Sequence, residues 1–277
     1  MIKKMLLMAL LTISVVFSQV KWEREEPEEN LPVELFHSTF AVNLPTAETV
    51  GKRELEIEIS HRFIPTIKSG SKDFWGLDGP VVNRLALAYG ITPNTQVTLG
   101  RSNAFDNYEL SLKQKVFEND NDVLPFMITL NAGAAWNSDH PIIESSDSKA
   151  FQYFVQAIFN TMYDKKLAFG IVPSYLNNSH PECKENQYSF TMGTYLQYYL
   201  SEVFSLIWEY NPTVTGWRSF HNPMSFGLEI ETGGHFFKIF LTNSTDLNQT
   251  QFLSGADKSF DNGDLRLGFM ITRLLFL

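Results

Sequence analysis

A chain of 277 residues that is 44% hydrophobic and 14% aromatic carries too much apolar surface to be disordered along its whole length. Its formal net charge of −9 makes it a poor partner for nucleic acid phosphates. Cys183 is the only cysteine, which excludes an intramolecular disulfide and leaves no thiol near the N-terminus to carry a lipid.

The chain begins MIKKMLLMALLTISVVFSQ. Lys3 and Lys4 precede an apolar run from Met5 to Phe17, and Val16 and Ser18 are small enough for cleavage after Ser18. Residues 1–18 read as a secretory signal peptide, too short to span a bilayer. The following KWEREEPEEN is acidic, and residues 19–50 are expected to form a periplasmic N-terminal segment. Within it, FHSTFAVNLPTAETV (36–50) is mixed; Phe40, Val42 and Leu44 alternate briefly before Pro45.

From residue 53 the period is two. In RELEIEISHRF, Leu55, Ile57, Ile59 and Phe63 share one parity, and Glu54, Glu56, Glu58, Ser60 and Arg62 the other. A helix would turn Ile57 about 200° away from Leu55, onto the charged face, whereas a strand keeps all four apolar groups together. Similar segments recur at roughly 82–91, 95–103, 107–117, 123–136, 150–160, 165–176, 188–199, 202–211, 223–232, 235–243 and 264–275. Even-numbered connections are short (TPN, ENDND, YDKK, SE, GG), and odd ones are long except the one after the third segment. Short turns on one side and long loops on the other are the habit of an up-and-down bacterial barrel. A soluble sandwich shows the same alternation with its faces exchanged. Segments long enough to cross hydrocarbon at a tilt, aromatics near strand ends and uneven loops favour the membrane. Residues 51–277 are therefore expected to form an all-β, antiparallel up-and-down transmembrane β-barrel of about 12 strands. Its address is the bacterial outer membrane after signal-peptide cleavage.

AVNLPTAETVGKRELEIEISHRF, GLDGPVVNRLALAYGITPNTQVTLGRS, YELSLKQK and the closing DLRLGFMITR carry a resemblance. With HRF at 61–63, GLDG at 76–79, YGIT at 89–92 and GRS at 100–102, residues 40–277 resemble an uncharacterised Bacteroidota outer-membrane β-barrel family, domain of unknown function 5777. The resemblance implies an outer-membrane barrel and brings no catalytic or binding residues with it. Many such chains end on an aromatic; this one ends Phe276–Leu277. The partners expected of such a chain are outer-membrane lipid and the barrel-assembly machinery.

If the apolar parity faces lipid, the lumen follows by subtraction. One wall is expected to carry Glu54, Glu56, Glu58, Arg62, Arg84, Glu109, Lys113, Lys115 and Arg266, with Arg84 and Arg266 flanking and pairing the glutamate row. The other is expected to carry Met127, Phe154, Ile158, Tyr195, Ile207, Phe236 and Phe240. Two readings follow. The lumen is an open amphipathic space for a small-molecule or lipid-like ligand, or its apolar groups pack on a loop or on residues 36–50 folded inside.

No motif for catalysis stands out. None of the six histidines forms an HExxH or an i, i+4 metal pair, and GxSxG, P-loop and dinucleotide fingerprints are absent. HPEC at 180–183 offers too few soft ligands for a metal centre, and reads as a solvated loop tip. His61 on the lipid parity invites a search for a serine partner, with Ser102 and Ser225 as candidates, but reads as a girdle residue. No cofactor, no metal and no enzyme activity are expected. Two functions remain: passage or binding of a small solute or amphipathic ligand through the lumen, or a structural barrel displaying loops 65–81, 137–149, 177–187, 212–222 and 244–263.

Overall fold

The computed structural model describes residues 34–276 apart from Asp122. The proposed signal peptide and the acidic stretch after it lie outside the described residues. The strands, in chain order, are β1 (Glu54–Phe63), β2 (Val81–Thr92), β3 (Thr95–Ser102), β4 (Asn107–Asn119), β5 (Phe126–Asn137), β6 (Phe151–Tyr163), β7 (Leu167–Asn177), β8 (Tyr188–Tyr199), β9 (Phe204–Tyr210), β10 (Thr213–Gly216), β11 (Met224–Glu231), β12 (His235–Thr242) and β13 (Arg266–Phe276).

Twelve of these close into an antiparallel ring. Each pairs with its neighbours in chain order, β9 passes directly to β11, and β13 returns to β1. Closure is in register along β1: Glu58 stands opposite Thr272 on one side and Ala86 on the other. Closing the ring pairs both edges of every strand, as hydrocarbon demands of a spanning sheet. β10 lies outside the ring. It follows Pro212 and pairs with β8 alone, beyond the end of β9.

The alternation sorts side chains cleanly. Along β2, Leu85 and Leu87 are 56% and 48% exposed, whereas Arg84, Ala86 and Ala88 are buried. The outer wall repeats this with Leu99, Leu110, Leu112, Leu130, Val155, Phe226 and Ile239. Among the described residues, five acids and six bases have buried side chains. The apolar surface faces out and the charges face in, the reverse of a water-soluble sheet protein.

Residues 34–50 do not hang below the barrel as a periplasmic segment. They run inside it as a hairpin-like turn, with Phe40 bridged to Pro45, Ala41 N–H on Leu44 O and Thr46 N–H on Thr39 O. Leu35, Phe36, Ala41, Val42, Leu44 and Ala47 are buried against Met127, Phe154, Ile158, Tyr195 and Ile207. A short segment with this much apolar surface is more stable in the lumen than in water. The chain leaves the lumen at Gly51, whose carbonyl lies so near β2 that a Cβ on Gly90 would come within 1.9 Å of it. Only glycine fits there.

The connection from β12 to β13 enters from the opposite side. Its single helical turn, α1 (Gln249–Phe252), is buried throughout, together with Leu247, Asn248, Leu253 and Ala256. This loop was expected to be displayed. Leu247, Phe252 and Leu253 draw it inward instead.

Candidate functional site in the barrel lumen

A buried chain segment must account for its backbone polar groups. The inserted hairpin does so mainly through side chains of the wall. At its tip the N–H groups of Val42, Asn43 and Leu44 converge on Glu209 Oε2 at 3.1, 2.8 and 2.7 Å, and Asn43 Nδ2 reaches Glu209 Oε1 at 2.9 Å. Successive N–H groups turned to one point form an anion-binding concavity. Here the anion is a carboxylate of β9.

The cations serve the carbonyls. Lys113 Nζ donates to Thr39 O, Thr46 O and Glu48 O at 3.0, 3.1 and 2.9 Å, using all three of its hydrogens. Lys238 Nζ donates to Ser38 Oγ, Phe40 O and Ala41 O, and pairs with Glu229 at 3.1 Å. Neutral groups complete the set. Asn160 accepts from Ala47 N–H at 2.6 Å, Gln96 from Val50 N–H at 2.9 Å, and Thr129 donates to Ala47 O at 2.8 Å. The Tyr195 hydroxyl donates to Pro45 O and accepts from Asn160 Nδ2. Its ring sits over Gly170, where a Cβ would come within 2.1 Å of it.

At the short-turn mouth the hairpin begins beside a cleft of about 570 Å³ lined by Leu35, His37, Met162 and Tyr199. Tyr199 donates to Leu35 O, and its ring packs on His37. His37 Nδ1 lies 3.4 Å from Glu229. Burial works to lower the His37 pKa, but the hydrogen bond and charge of Glu229, with Glu34 and Glu231 nearby, leave it raised. Glu48 accepts from the N–H groups of Leu35 and Phe36, and burial pushes its carboxyl up to about 7.

From the long-loop side, Glu109 caps α1: Gln249 N–H and Thr250 N–H donate to its two oxygens at 3.2 and 3.0 Å. Arg84 Nε donates to Asn248 Oδ1 at 2.7 Å. The two inserted segments meet where Gln249 Nε2 donates to Asn43 O at 2.6 Å.

An apolar outer wall around a charged and filled interior is the build of a membrane barrel. A family profile described as a membrane-bound β-barrel domain (DUF5777) matches residues 36–275, hairpin included. The chain belongs to this family. Among solved structures, the NanC porin superposes with a TM-score of 0.50 at 12% identity, covering 80% of this chain and 99% of that one. An outer-membrane channel from Pseudomonas putida F1 gives 0.49 at 12% identity, covering 87% and 100%. LpxR from Salmonella typhimurium gives 0.37 at 8% identity, covering 79% and 99%. At these identities the NanC likeness speaks for the fold alone. No curated protein matches the chain.

In this DUF5777 barrel Glu56, Glu58, Arg62, Arg84, Glu109, Lys113, Lys115 and Arg266 are all buried, and Glu54, at the short-turn end, is half-buried. Their pairing differs from expectation. Arg84 does pair with Glu58, at 2.6 Å. Arg266 does not flank the glutamates. It bonds Asp257 with both terminal nitrogens, at 2.6 and 2.7 Å, and Ile64 O through Nε. The register explains this: β1 and β13 part beyond Arg62–Gly268, which leaves Arg266 at the long-loop rim. Glu54 accepts from Gly51 N–H, Glu56 accepts from Thr39, and Lys115 pairs with Glu118. Arg62 stacks on Phe240 at 4.2 Å and donates to Asn43 Oδ1 at 2.8 Å.

Met127, Phe154, Ile158, Tyr195, Ile207 and Phe240 pack in one cluster with the hairpin, and Phe236 is buried nearby on β12. The lumen does not divide into a charged and an apolar half. Glu209 and Lys238 share the inner faces of β9 and β12 with apolar side chains, and Glu229 faces inward from β11 between them. They hold the hairpin, and none of the three is among the lumen residues expected from the sequence. Parity could have found them: Glu209 shares a face with Ile207, and Lys238 with Phe236 and Phe240.

Ser102 and Ser225 are buried on the inner face, away from the parity of His61, whose ring packs on Phe269. In the HPEC loop His180 Nδ1 lies 2.6 Å from Cys183 Sγ, and no group of three metal-type ligands occurs among the described residues.

Proposed function

We propose that this protein is an outer-membrane channel for a small solute, held closed at rest by the two segments folded into its lumen. The outer-membrane address is supported by membership of a membrane-bound β-barrel family and by likeness of fold to a porin. One observation carries the closed-channel reading. The hairpin is held by charged side chains of the wall bonded to its backbone, above all by Glu209, Lys113 and Lys238. Such contacts are exchangeable. Water or a solute can take over each donor and acceptor once the segment moves. A segment meant only as filler needs no charges around it, since apolar packing fills a lumen without their desolvation cost.

The second reading is a permanently filled barrel that displays its remaining loops. The continuous apolar cluster joining hairpin and wall favours it. The reading is non-enzymatic in either form.

Conductance in planar bilayers separates the two. The full chain is compared with Lys113→Met/Lys238→Met, and heat-modifiable gel migration confirms that both are folded. The channel reading expects rare discrete openings for the full chain and openings at least tenfold more frequent in the variant. Two folded barrels that never conduct would leave the filled barrel standing.

A further inference from the structure

We infer that the lumen wall is a peptide-binding site, and that residues 34–50 occupy it as a built-in ligand in place of a short peptide of mixed sequence. The inference rests on the closed-channel reading and gives that channel a substrate class.

The argument is what the wall recognises. Glu209 accepts three consecutive amide N–H groups. Lys113 donates to three carbonyls, and Lys238 donates to two more. Asn160 and Thr129 take the N–H and the C=O of a single residue, Ala47. All of these are contacts to main chain. Polar contacts to hairpin side chains are fewer, and fall on His37, Ser38, Thr39, Asn43 and Thr49. A site that bonds main chain and offers apolar surface to the side chains is tolerant of sequence, in the way that sheet-edge recognition is. A carboxylate set to receive successive amides, with ammonium groups set on the carbonyls, matches the alternation of a peptide. A sugar offers hydroxyls and no such fixed alternation.

A second observation points the same way. The wall around the hairpin tip has polar capacity that the tip leaves unused. Asn211 is fully buried beside Leu44, both lying against Gly193, and neither of its amide atoms has a partner among the described residues. Arg62 Nε and Thr191 Oγ1 are also buried and without a partner there. Buried polar groups are seldom left so, because each unmade bond is costly. A ligand longer than the tip would reach them.

The test uses a barrel in which residues 36–49 are replaced by glycine and serine at equal length. Three probes are titrated by fluorescence anisotropy and by block of conductance: the peptide FHSTFAVNLPTAETV, a scrambled peptide of the same composition, and maltohexaose. The two peptides are expected to bind within tenfold of each other and maltohexaose not at all. Glu209→Gln in the same background should weaken both peptides at least tenfold. Binding of the native peptide alone, or of maltohexaose as well as the peptides, overturns the inference. A barrel that conducts but binds no peptide overturns it while the channel reading stands. Peptide binding to a barrel that never conducts keeps the site and removes the channel. If the replaced barrel does not fold, the full chain serves, carrying Val42→Cys and Cys183→Ser. Scrambled peptide at millimolar concentration should then speed thiol labelling at position 42, and an unchanged rate contradicts the inference.

Discussion

Gln249 of α1 and Asn43 at the hairpin tip touch inside the barrel, the Gln249 side-chain amide donating to Asn43 O at 2.6 Å. One residue has come from the short-turn side and the other from the long-loop side. Gln249 also accepts from Gln156 of β6, which fixes the contact to the wall. The lumen is thus occupied by two segments that brace each other. Loosening either should be felt by the other.

Glu209 is the residue on which the hairpin tip depends. Glu209→Ala leaves three buried N–H groups without an acceptor, at about 1–3 kcal/mol for each such group. Docking of residues 34–50 should weaken while the ring of strands persists. In a Val42→Cys/Cys183→Ser background, thiol labelling at position 42 should be at least tenfold faster with Glu209→Ala, and gel migration should still report a folded barrel.

Docking should also loosen as pH rises. Glu48 in the hairpin and Asp246 in the opposite loop are both pushed up to about 7, chiefly by burial, with Asp257 adding to the effect at Asp246. An acid whose inserted pKa lies above its ordinary 4.5 or 3.8 resists ionising in place, so its contribution falls as pH climbs from there to about 7. His37, raised by Glu229, has the same sign. Its contribution is full below 6.5 and is lost as pH passes its raised value. Measured relative to a free thiol at the same pH, labelling at position 42 should therefore be slower at pH 5.5 than at pH 8.5. Glu48→Gln with His37→Gln should flatten most of that difference.

Arg84 and Glu58 form a pair buried on both sides. Removing one partner strands the other charge, at about 3–5 kcal/mol, whereas replacing both with apolar groups is often close to neutral. Arg84→Met should lower the temperature at which the barrel loses its heat-modifiable migration. Adding Glu58→Leu should recover much of the loss.

The outer wall gives a check on orientation. Leu99 is 54% exposed at mid-strand on β3, facing outward between Leu87 and Leu110. An arginine at a lipid-facing position costs about 2–4 kcal/mol at the bilayer midplane. Leu99→Arg should lower unfolding stability in lipid vesicles by that order, and Leu99→Ile should leave it nearly unchanged.

The ring of strands was legible because one physical signal repeats twelve times. In β1, Leu55, Ile57 and Ile59 cannot share a face in any other backbone. The inner parity was legible for the same reason, and it placed Glu56, Glu58 and Arg84 on one face. Parity gives a direction and no depth, so Arg266 shares the glutamates' inward parity while the glutamates lie well below it. The hairpin was harder to read. Phe40, Val42 and Leu44 alternate too briefly to mark a spanning strand, and only the lumen explains their burial. The β12–β13 loop did carry a signal, since Leu247, Phe252 and Leu253 are unusual in a loop meant for water.

If residues 34–50 gate the lumen, a reversible lock on them should control conduction. Asn43 Nδ2 lies 3.3 Å from Ser225 Oγ of β11. Cysteines at 43 and 225, with Cys183→Ser, put one thiol on the hairpin tip and one on the wall beside it, and mass spectrometry checks for the disulfide between them. Single-channel recording of this protein should show no openings when oxidised, and a return of openings within the same membrane when reductant is added. Openings of equal frequency in the two states, with the disulfide confirmed, would mean that the hairpin is not the gate.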